Sequence, residues 1–159
     1  MAKVVKTNAM RILDQLKVTY LHFQYEGKEE NVDGTLVSRK NNRDHTLGHK
    51  TLVTKSTTND LFVFVIPLTK ELDLKKAAKA VGQKKIEMLP HKDLLKYTGY
   101  IKGGCSPIGM KKKYETVIEM SSEDRKDIII SGGKRGHIIE MSIENLLSVI
   151  DGKLADVCK

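Results

Sequence analysis

Two apolar segments flank a glycine-rich link at residues 128–141, where the sequence is IIISGGKRGHIIEM. A link of five residues, 132–136, between two short apolar runs is typical of a β-hairpin, because glycine accepts the positive φ angles that tight turns need. A similar arrangement occurs upstream, where HKTLVTKS (49–56) and LFVFVIPL (61–68) enclose TTND. The sequence therefore predicts a fold built around strands that are joined by short turns.

Helices are predicted between these strands from capping residues and from apolar positions spaced at about 3.6 residues. They begin after Thr7 or Asn8, after Asp73, at Pro90 and after Ser142, and Gly82 ends the second. Further strands are predicted at 19–25, 84–88, 114–120, 127–131 and 137–142, with an acidic turn at 121–125 and a short helix at 32–37 within an irregular segment, 26–48. This order favours an α+β (mixed α/β) domain with one curved mixed β-sheet or partial barrel flanked by helices.

The composition limits the class of protein and its partners. A chain of 159 residues can bury one core, so we expect a single domain over residues 1–159. The longest apolar run, 61–68, is too short to cross a bilayer, the N-terminus has no apolar signal segment, and two cysteines give no disulfide framework. We therefore expect a cytoplasmic protein without membrane contact. A net charge of +8 favours a polyanionic partner, most commonly nucleic acid.

A second glycine-rich loop lies at residues 103–109 and is followed by Lys111, Lys112 and Lys113. If this loop meets the link at 132–136, their backbone N–H groups and nearby cations could together hold a phosphate or a carbonyl oxygen. Lys50 and Thr51 stand at the start of an apolar strand. A lysine there is either a solvated edge residue or a cation directed at a carboxylate, carbonyl or phosphate.

Three other kinds of site have weaker support in the sequence. Cys105 would need a base such as His91 or His137 to act as a nucleophile, and nothing in the sequence places either beside it. His45 and His49 have the spacing of a helical metal pair, but a glycine separates them and the segment leads into a strand. Ser106 has no G-x-S-x-G context. We therefore expect no metal and no cofactor.

Four motifs carry a family resemblance: HKTLV, LDLKKAAKAVGQKKIEM, TGYIKGGCSPIG and ISGGKRG. Their order and spacing resemble those of the YbaK/EbsC-type aminoacyl-tRNA deacylases, a family of Cys-tRNA(Pro) deacylases related to the prolyl-tRNA synthetase editing domain. The resemblance extends over residues 9–156. It implies an enzyme that clears cysteine wrongly attached to proline tRNA, with mischarged aminoacyl-tRNA as partner and prolyl-tRNA synthetase as a possible second partner.

The resemblance also implies roles for individual residues. The family's essential lysine falls on Lys50. The substrate-binding positions fall on Tyr25, Thr51, Gly103, Gly104, Ser106, Ser131 and Gly132. Contacts to tRNA phosphates are expected from Lys111, Lys112, Lys113, Lys134 and Arg135. The sequence departs from the family pattern at His49, Cys105 and Ile138, and the last two positions bear on substrate preference.

The chain offers no convincing nucleophile of its own, and the resemblance suggests that the substrate supplies one. The thiol of the attached cysteine would attack its own ester carbonyl, giving a cyclic thiolactone and free tRNA. Two alternatives remain open: a non-catalytic RNA- or synthetase-binding regulatory module on the same fold, and a deacylase for another small amino acid such as alanine.

Overall fold

The computed structural model describes residues 6–24 and 44–159. The predicted helix at 32–37 and the predicted substrate-binding Tyr25 lie outside the described residues. None of the helices in the described ranges is long and apolar enough to cross a membrane.

The other four predicted helices are present: α1 (Asn8–Gln15), α2 (Leu74–Ala80), α3 (His91–Thr98) and α4 (Ile143–Ile150). Of the two candidate caps of α1, Thr7 is the cap, and its Oγ1 accepts a hydrogen bond from the Met10 N–H at 3.2 Å. Asp73 caps α2 and Ser142 caps α4 in the same way, so three helix starts follow directly from local sequence. Pro90 precedes α3 without a side-chain capping bond.

Eight strands are present in the described ranges, and seven of them match predicted strands. They are β1 (Leu21–Gln24), β2 (His49–Ser56), β3 (Leu61–Pro67), β4 (Ile86–Met88), β5 (Glu115–Glu119), β6 (Asp127–Ser131), β7 (His137–Ser142) and β8 (Lys153–Ala155). Only β8 was not predicted, because a strand of three residues shows no usable alternation. The predicted acidic turn is instead a 3-10 helix, Met120–Arg125, and a second 3-10 helix spans His45–Leu47.

The strands form two open sheets. One has the order β1-β7-β6, and the other has the order β4-β2-β3-β5-β8, with parallel pairs at β3–β5 and β5–β8. Both predicted hairpins, β2–β3 and β6–β7, are antiparallel neighbours. A β-bridge between Gly48 and Ile129 joins the sheets. The predicted mixed class is thus confirmed, with the curved sheet divided in two where β5 and β6 separate.

Apolar packing covers the sheets and leaves a space between them. Helices α1 and α4 contribute to one core with the inner residues of β6 and β7. Helix α2 packs with Phe62, Phe64 and Ile66 on one face of β3. A third cluster, which includes Val53, Leu89, Leu94 and Cys105, lines the cavity described next.

Candidate functional site

A cavity of about 280 Å³ lies where the two sheets meet. Three segments far apart in the sequence form most of its wall. They are residues 48–53 at the start of β2, Lys102, Gly103 and Cys105 at the glycine-rich loop 103–109, and residues 129–131 and 136–138 of the β6–β7 hairpin. Apolar side chains close the remaining wall: Leu68, Met88, Leu89 and Leu94. Of the predicted site residues, the structure brings together Lys50, Thr51, Gly103 and Ser131.

The edge of β2 borders this cavity. Strand β2 pairs with β3 along its length but with β4 only at Thr54–Ser56 among the described strands. The carbonyl of Gly48 accepts from Leu68 N–H on the β3 side, whereas the carbonyl of Val53 accepts from Leu89 N–H on the other side. Because peptide groups alternate along a strand, the N–H and C=O of Thr51 point, like those of Val53, away from β3 and towards the cavity.

Lys50 lies on β2 opposite Ile66, half-buried in the cavity wall. No acidic side chain within residues 6–24 and 44–159 forms an ion pair with it. Burial raises the pKa of the nearby Cys158 thiol to about 11, and the positive charge of Lys50 acts against this rise. The ammonium of Lys50 is therefore not neutralised by a described carboxylate and can act on a bound group.

The two glycine-rich loops meet in space. A Cβ built on Gly104 would lie 3.2 Å from Lys134 Cα and 3.2 Å from the Arg135 nitrogen, so only a glycine allows this approach of the two backbones. Arg135 reinforces the contact, because its Nε donates to the Lys102 carbonyl at 3.0 Å. Gly103 adopts φ +85° and packs against the Arg135 side chain. Arg135 thus joins the loops to each other, in addition to any contact with phosphate.

The β6–β7 link is an ordered turn. Gly132 donates its N–H to the His137 carbonyl at 2.8 Å, and its own carbonyl accepts from Thr7 Oγ1 at 2.6 Å. Ser131 lines the cavity, and its Oγ accepts from Gly133 N–H at 3.1 Å. Gly132 therefore fixes the hairpin to α1, whereas Ser131 is a polar residue of the hairpin that lines the cavity.

Several predicted site residues lie outside the cavity wall. Gly104 donates its N–H to the Ile101 carbonyl at 3.0 Å, so that donor is already used within the loop. Ser106 is fully buried, and its Oγ accepts from Ile108 N–H at 3.2 Å. Neither these two residues nor Gly132 lines the cavity. The structure of the glycine-rich loop therefore accounts for Gly104 and Ser106, without a direct contact to the cavity.

The predicted phosphate contacts also lie around the cavity and not in its wall. Lys111 donates to the Lys96 carbonyl at 3.3 Å, and Lys113 lies 3.5 Å from Asp151. Lys112 and Lys134 are exposed. The structure thus leaves these two side chains directed at solvent, while Lys111, Lys113 and Arg135 also make contacts within the protein.

Cys105 lines the cavity but is held as a thiol. Its exposure is 7%, and burial raises its pKa to about 12, although a hydrogen bond with Thr98 acts in the opposite direction. A thiol is nucleophilic only as the thiolate. Cys105 is therefore part of the apolar wall. This agrees with the sequence analysis, which found no base that would make Cys105 a nucleophile.

His49 has a structural role. Its Nδ1 lies 2.6 Å from the Leu47 carbonyl and its Nε2 lies 2.7 Å from Ser122 Oγ, so both ring nitrogens are engaged. Burial lowers its pKa to about 4. No group of three or more His, Cys, Asp or Glu in the described part of the chain could hold a metal ion.

The sequence did not indicate the apolar wall or the position of His137. The apolar wall residues carry only the pattern of core packing: Leu68 follows β3, Met88 ends β4, Leu89 follows it and Leu94 lies in α3. Their convergence depends on how the two sheets meet. His137 lines the cavity and contacts His22 of β1. The only available signal was its place directly after the glycine-rich link.

Comparison with known proteins gives the family. The aminoacyl-tRNA editing domain matches residues 36–149. A protein of Enterococcus faecalis proposed to be the Cys-tRNA(Pro)/Cys-tRNA(Cys) deacylase EbsC is 45% identical over 152 residues, which cover 96% of this chain and 93% of that protein.

Solved structures agree with this fold. The hypothetical protein APE2540 superposes with a TM-score of 0.85 at 18% identity, covering 96% of this chain and 100% of that one. A proposed trans-editing enzyme for prolyl-tRNA synthetase superposes with a TM-score of 0.81 at 16% identity, covering 98% and 99%. These two likenesses concern the fold alone, whereas the domain match and the 45% identity identify the chain as a member of the aminoacyl-tRNA editing domain family.

Proposed function

We propose that this protein is a trans-editing deacylase that removes cysteine from mischarged Cys-tRNA(Pro). The observation that carries the proposal is the convergence of Lys50, Gly103 and Ser131, from three distant motifs, on one largely apolar cavity. The 45% identical relative supports the substrate class. We further propose that the protein acts in the cytoplasm, alongside prolyl-tRNA synthetase.

The reaction uses the substrate's own thiol. Its sulfur attacks the ester carbonyl, a C–S bond forms, the C–O bond to the ribose breaks, and the thiol proton is transferred to the ribose oxygen. The products are a cyclic thiolactone and free tRNA. Cys105 is unsuited to the role of nucleophile because its thiol remains protonated at neutral pH. Holding the reacting atoms in contact lowers the barrier by several kcal/mol, so the cavity's main task is to fold the aminoacyl group.

Four cavity residues have roles in this scheme. Lys50 stabilises the negative charge that develops on the carbonyl oxygen, and the N–H of Gly103 donates to the same oxygen. The peptide group of Thr51, at the cavity edge of β2, positions the aminoacyl backbone. Ser131 fixes the amino acid by a hydrogen bond. Gly104, Ser106 and Gly132 contribute by holding the two loops in shape.

The rate at which the Lys50→Ala variant deacylates Cys-tRNA(Pro) tests this mechanism. We expect a fall of about 10²-fold, the scale of losing one donor to a developing oxyanion. Lys55→Ala is the matched control, because Lys55 is a half-buried lysine of the same strand that does not line the cavity. Its rate should stay within about two-fold of wild type. Near wild-type turnover by Lys50→Ala, with folding confirmed by circular dichroism, would remove Lys50 from the mechanism.

The amino acid attached to the tRNA distinguishes the possible mechanisms. We would charge one proline tRNA with cysteine and with alanine, follow both esters, and search the products for thiolactone by mass spectrometry. Rapid loss of cysteine alone supports the substrate thiol. Equal loss of both amino acids favours an activated water and a broader deacylase. Binding without loss of either ester favours the non-catalytic module. Sedimentation with prolyl-tRNA synthetase tests the second partner.

A further inference from the structure

The mouth of the cavity is marked by those wall residues that are also exposed. Among the described residues these are Met88, His91, Lys102 and Gly103. His91 carries the one ring in this set, and within the described ranges it forms no hydrogen bond, ion pair or ring contact. The mouth therefore presents an aromatic ring to solvent.

Helix α3 extends this surface away from the cavity. His91 and Leu95 are four residues apart and are therefore neighbours on one side of the helix, where Leu95 is 54% exposed. Lys92 and Lys96 form a second row beside them, and both are exposed. The acidic residue of the helix, Asp93, lies on its other side. One side of α3 thus combines an apolar row, which begins at the cavity, with a row of lysines.

On the basis of the proposed deacylation, we propose that this side of α3 binds the single-stranded 3′ end of the tRNA, with the terminal adenine stacked on His91. The ester joins the amino acid to the ribose of the last nucleotide. When the ester is inside the cavity, the base on the same ribose must therefore lie at the mouth. Leu95 contacts the preceding base, and Lys92 and Lys96 bind phosphates.

The chemistry of this surface fits a single-stranded nucleic acid. Proteins bind such strands by stacking bases on exposed rings and by neutralising the backbone with cations beside them. Neither Lys92 nor Lys96 forms an ion pair with an acidic side chain in residues 6–24 and 44–159. The Lys96 ammonium lies 5.2 Å from the centre of the exposed Tyr97 ring. Both charges are thus available to phosphate groups.

This surface is continuous with a lysine already expected to contact phosphate. Lys111 Nζ donates to the Lys96 carbonyl at 3.3 Å. A Cβ built on Gly99, directly after α3, would lie 3.5 Å from Lys111 Cγ, so this side chain packs against the end of the helix. A strand that leaves the cavity over α3 therefore continues towards Lys111.

Binding of a stable substrate analogue tests the assignment. The probe is an acceptor-stem hairpin of proline tRNA that carries cysteine through an amide on 3′-amino-3′-deoxyadenosine, and a second probe lacks only the terminal base. Wild type should bind the adenine-terminated probe about 10-fold more tightly than the abasic probe, the scale of one base stacked on a ring. His91→Ala should remove this difference by weakening the adenine-terminated probe alone. His91→Phe should restore it, because its ring still stacks.

Matched variants on α2 separate contacts at α3 from general charge and hydrophobicity. Lys92→Gln and Lys96→Gln should each reduce the slope of log affinity against log salt concentration by roughly 0.7, the value for one phosphate of a single strand. Lys75→Gln should leave the slope unchanged, because this exposed lysine of α2 does not line the cavity. Leu95→Ala should weaken both probes, whereas Leu74→Ala, at a leucine of α2 that is 38% exposed, should weaken neither.

The outcomes that overturn the inference do not depend on turnover. Equal binding of both probes by wild type, or an unchanged preference for adenine in His91→Ala, would place the base elsewhere. Loss of the preference in His91→Phe as well would exclude stacking. Variants that weaken binding of prolyl-tRNA synthetase and of neither probe would make this side of α3 a protein interface. In each case removal of cysteine by wild type still supports the proposed function. If folded wild type removes no cysteine but keeps the preference that depends on His91, the proposed function fails and the binding surface stands.

Discussion

Replacing Gly104 by alanine should push apart the two glycine-rich loops that form the cavity wall. The added Cβ would lie 3.2 Å from Lys134 Cα and from the Arg135 nitrogen, whereas ordinary contacts begin at 3.4 Å. The loops must therefore separate by a few tenths of an ångström, and no rotamer change relieves the contact because both neighbours are backbone atoms. Overpacking of this kind costs about 1–2 kcal/mol, or roughly 2–8 °C in melting temperature for a chain of this size.

The same displacement should affect the reaction. A misplacement of 1 Å can cost about 10²-fold in rate, so a shift of a few tenths of an ångström should lower kcat/KM for Cys-tRNA(Pro) by roughly 3- to 6-fold. Gly82→Ala provides the control, because Gly82 follows α2 at φ +69° and its Cβ would meet nothing within 4 Å. It should lose about 1–2 kcal/mol to backbone strain with unchanged kcat/KM. Wild-type melting temperature and activity for Gly104→Ala would refute the reasoning.

Three other expectations follow from the geometry. The Cys105→Ala variant should still remove cysteine from Cys-tRNA(Pro). In the wild-type protein, Cys105 should react slowly with iodoacetamide at pH 7, because the pKa of its thiol is about 12. Loss of activity in a folded Cys105→Ala variant would make this thiol the nucleophile. Lys134→Gln should reduce the slope of log tRNA affinity against log salt concentration by roughly one unit. Adding Arg135→Gln should also lower the melting temperature, because Arg135 joins the two loops. His49 has a pKa of about 4 in the folded state against 6.5 in the unfolded state, so the unfolded state binds more protons between these pH values. The free energy of unfolding should therefore fall by up to about 3 kcal/mol as the pH drops from 6.5 to 4. His49→Gln should reduce this dependence of the unfolding free energy on pH, measured by urea titration.

The individual helices and strands follow largely from local sequence. Thr7, Asp73 and Ser142 cap their helices because a side-chain oxygen reaches an N–H only two or three residues away. The β2–β3 hairpin likewise follows from two apolar runs and a four-residue link. The motifs also pointed to Lys50, Thr51, Gly103 and Ser131, and all four line the cavity.

The way in which these elements meet depends on long-range packing and could not be predicted from the sequence. The separation of β5 and β6 into different sheets depends on which strands pair at long range, and a period of two does not specify a partner. The structure also shows which motif residues reach the cavity: Gly103 and Ser131 line it. The neighbouring Gly104, Ser106 and Gly132 do not line it and instead hold the loops in shape. The pairing of His22 with His137 joins residues 115 apart. Such contacts arise from packing of whole elements, whereas sequence patterns report interactions over a few residues.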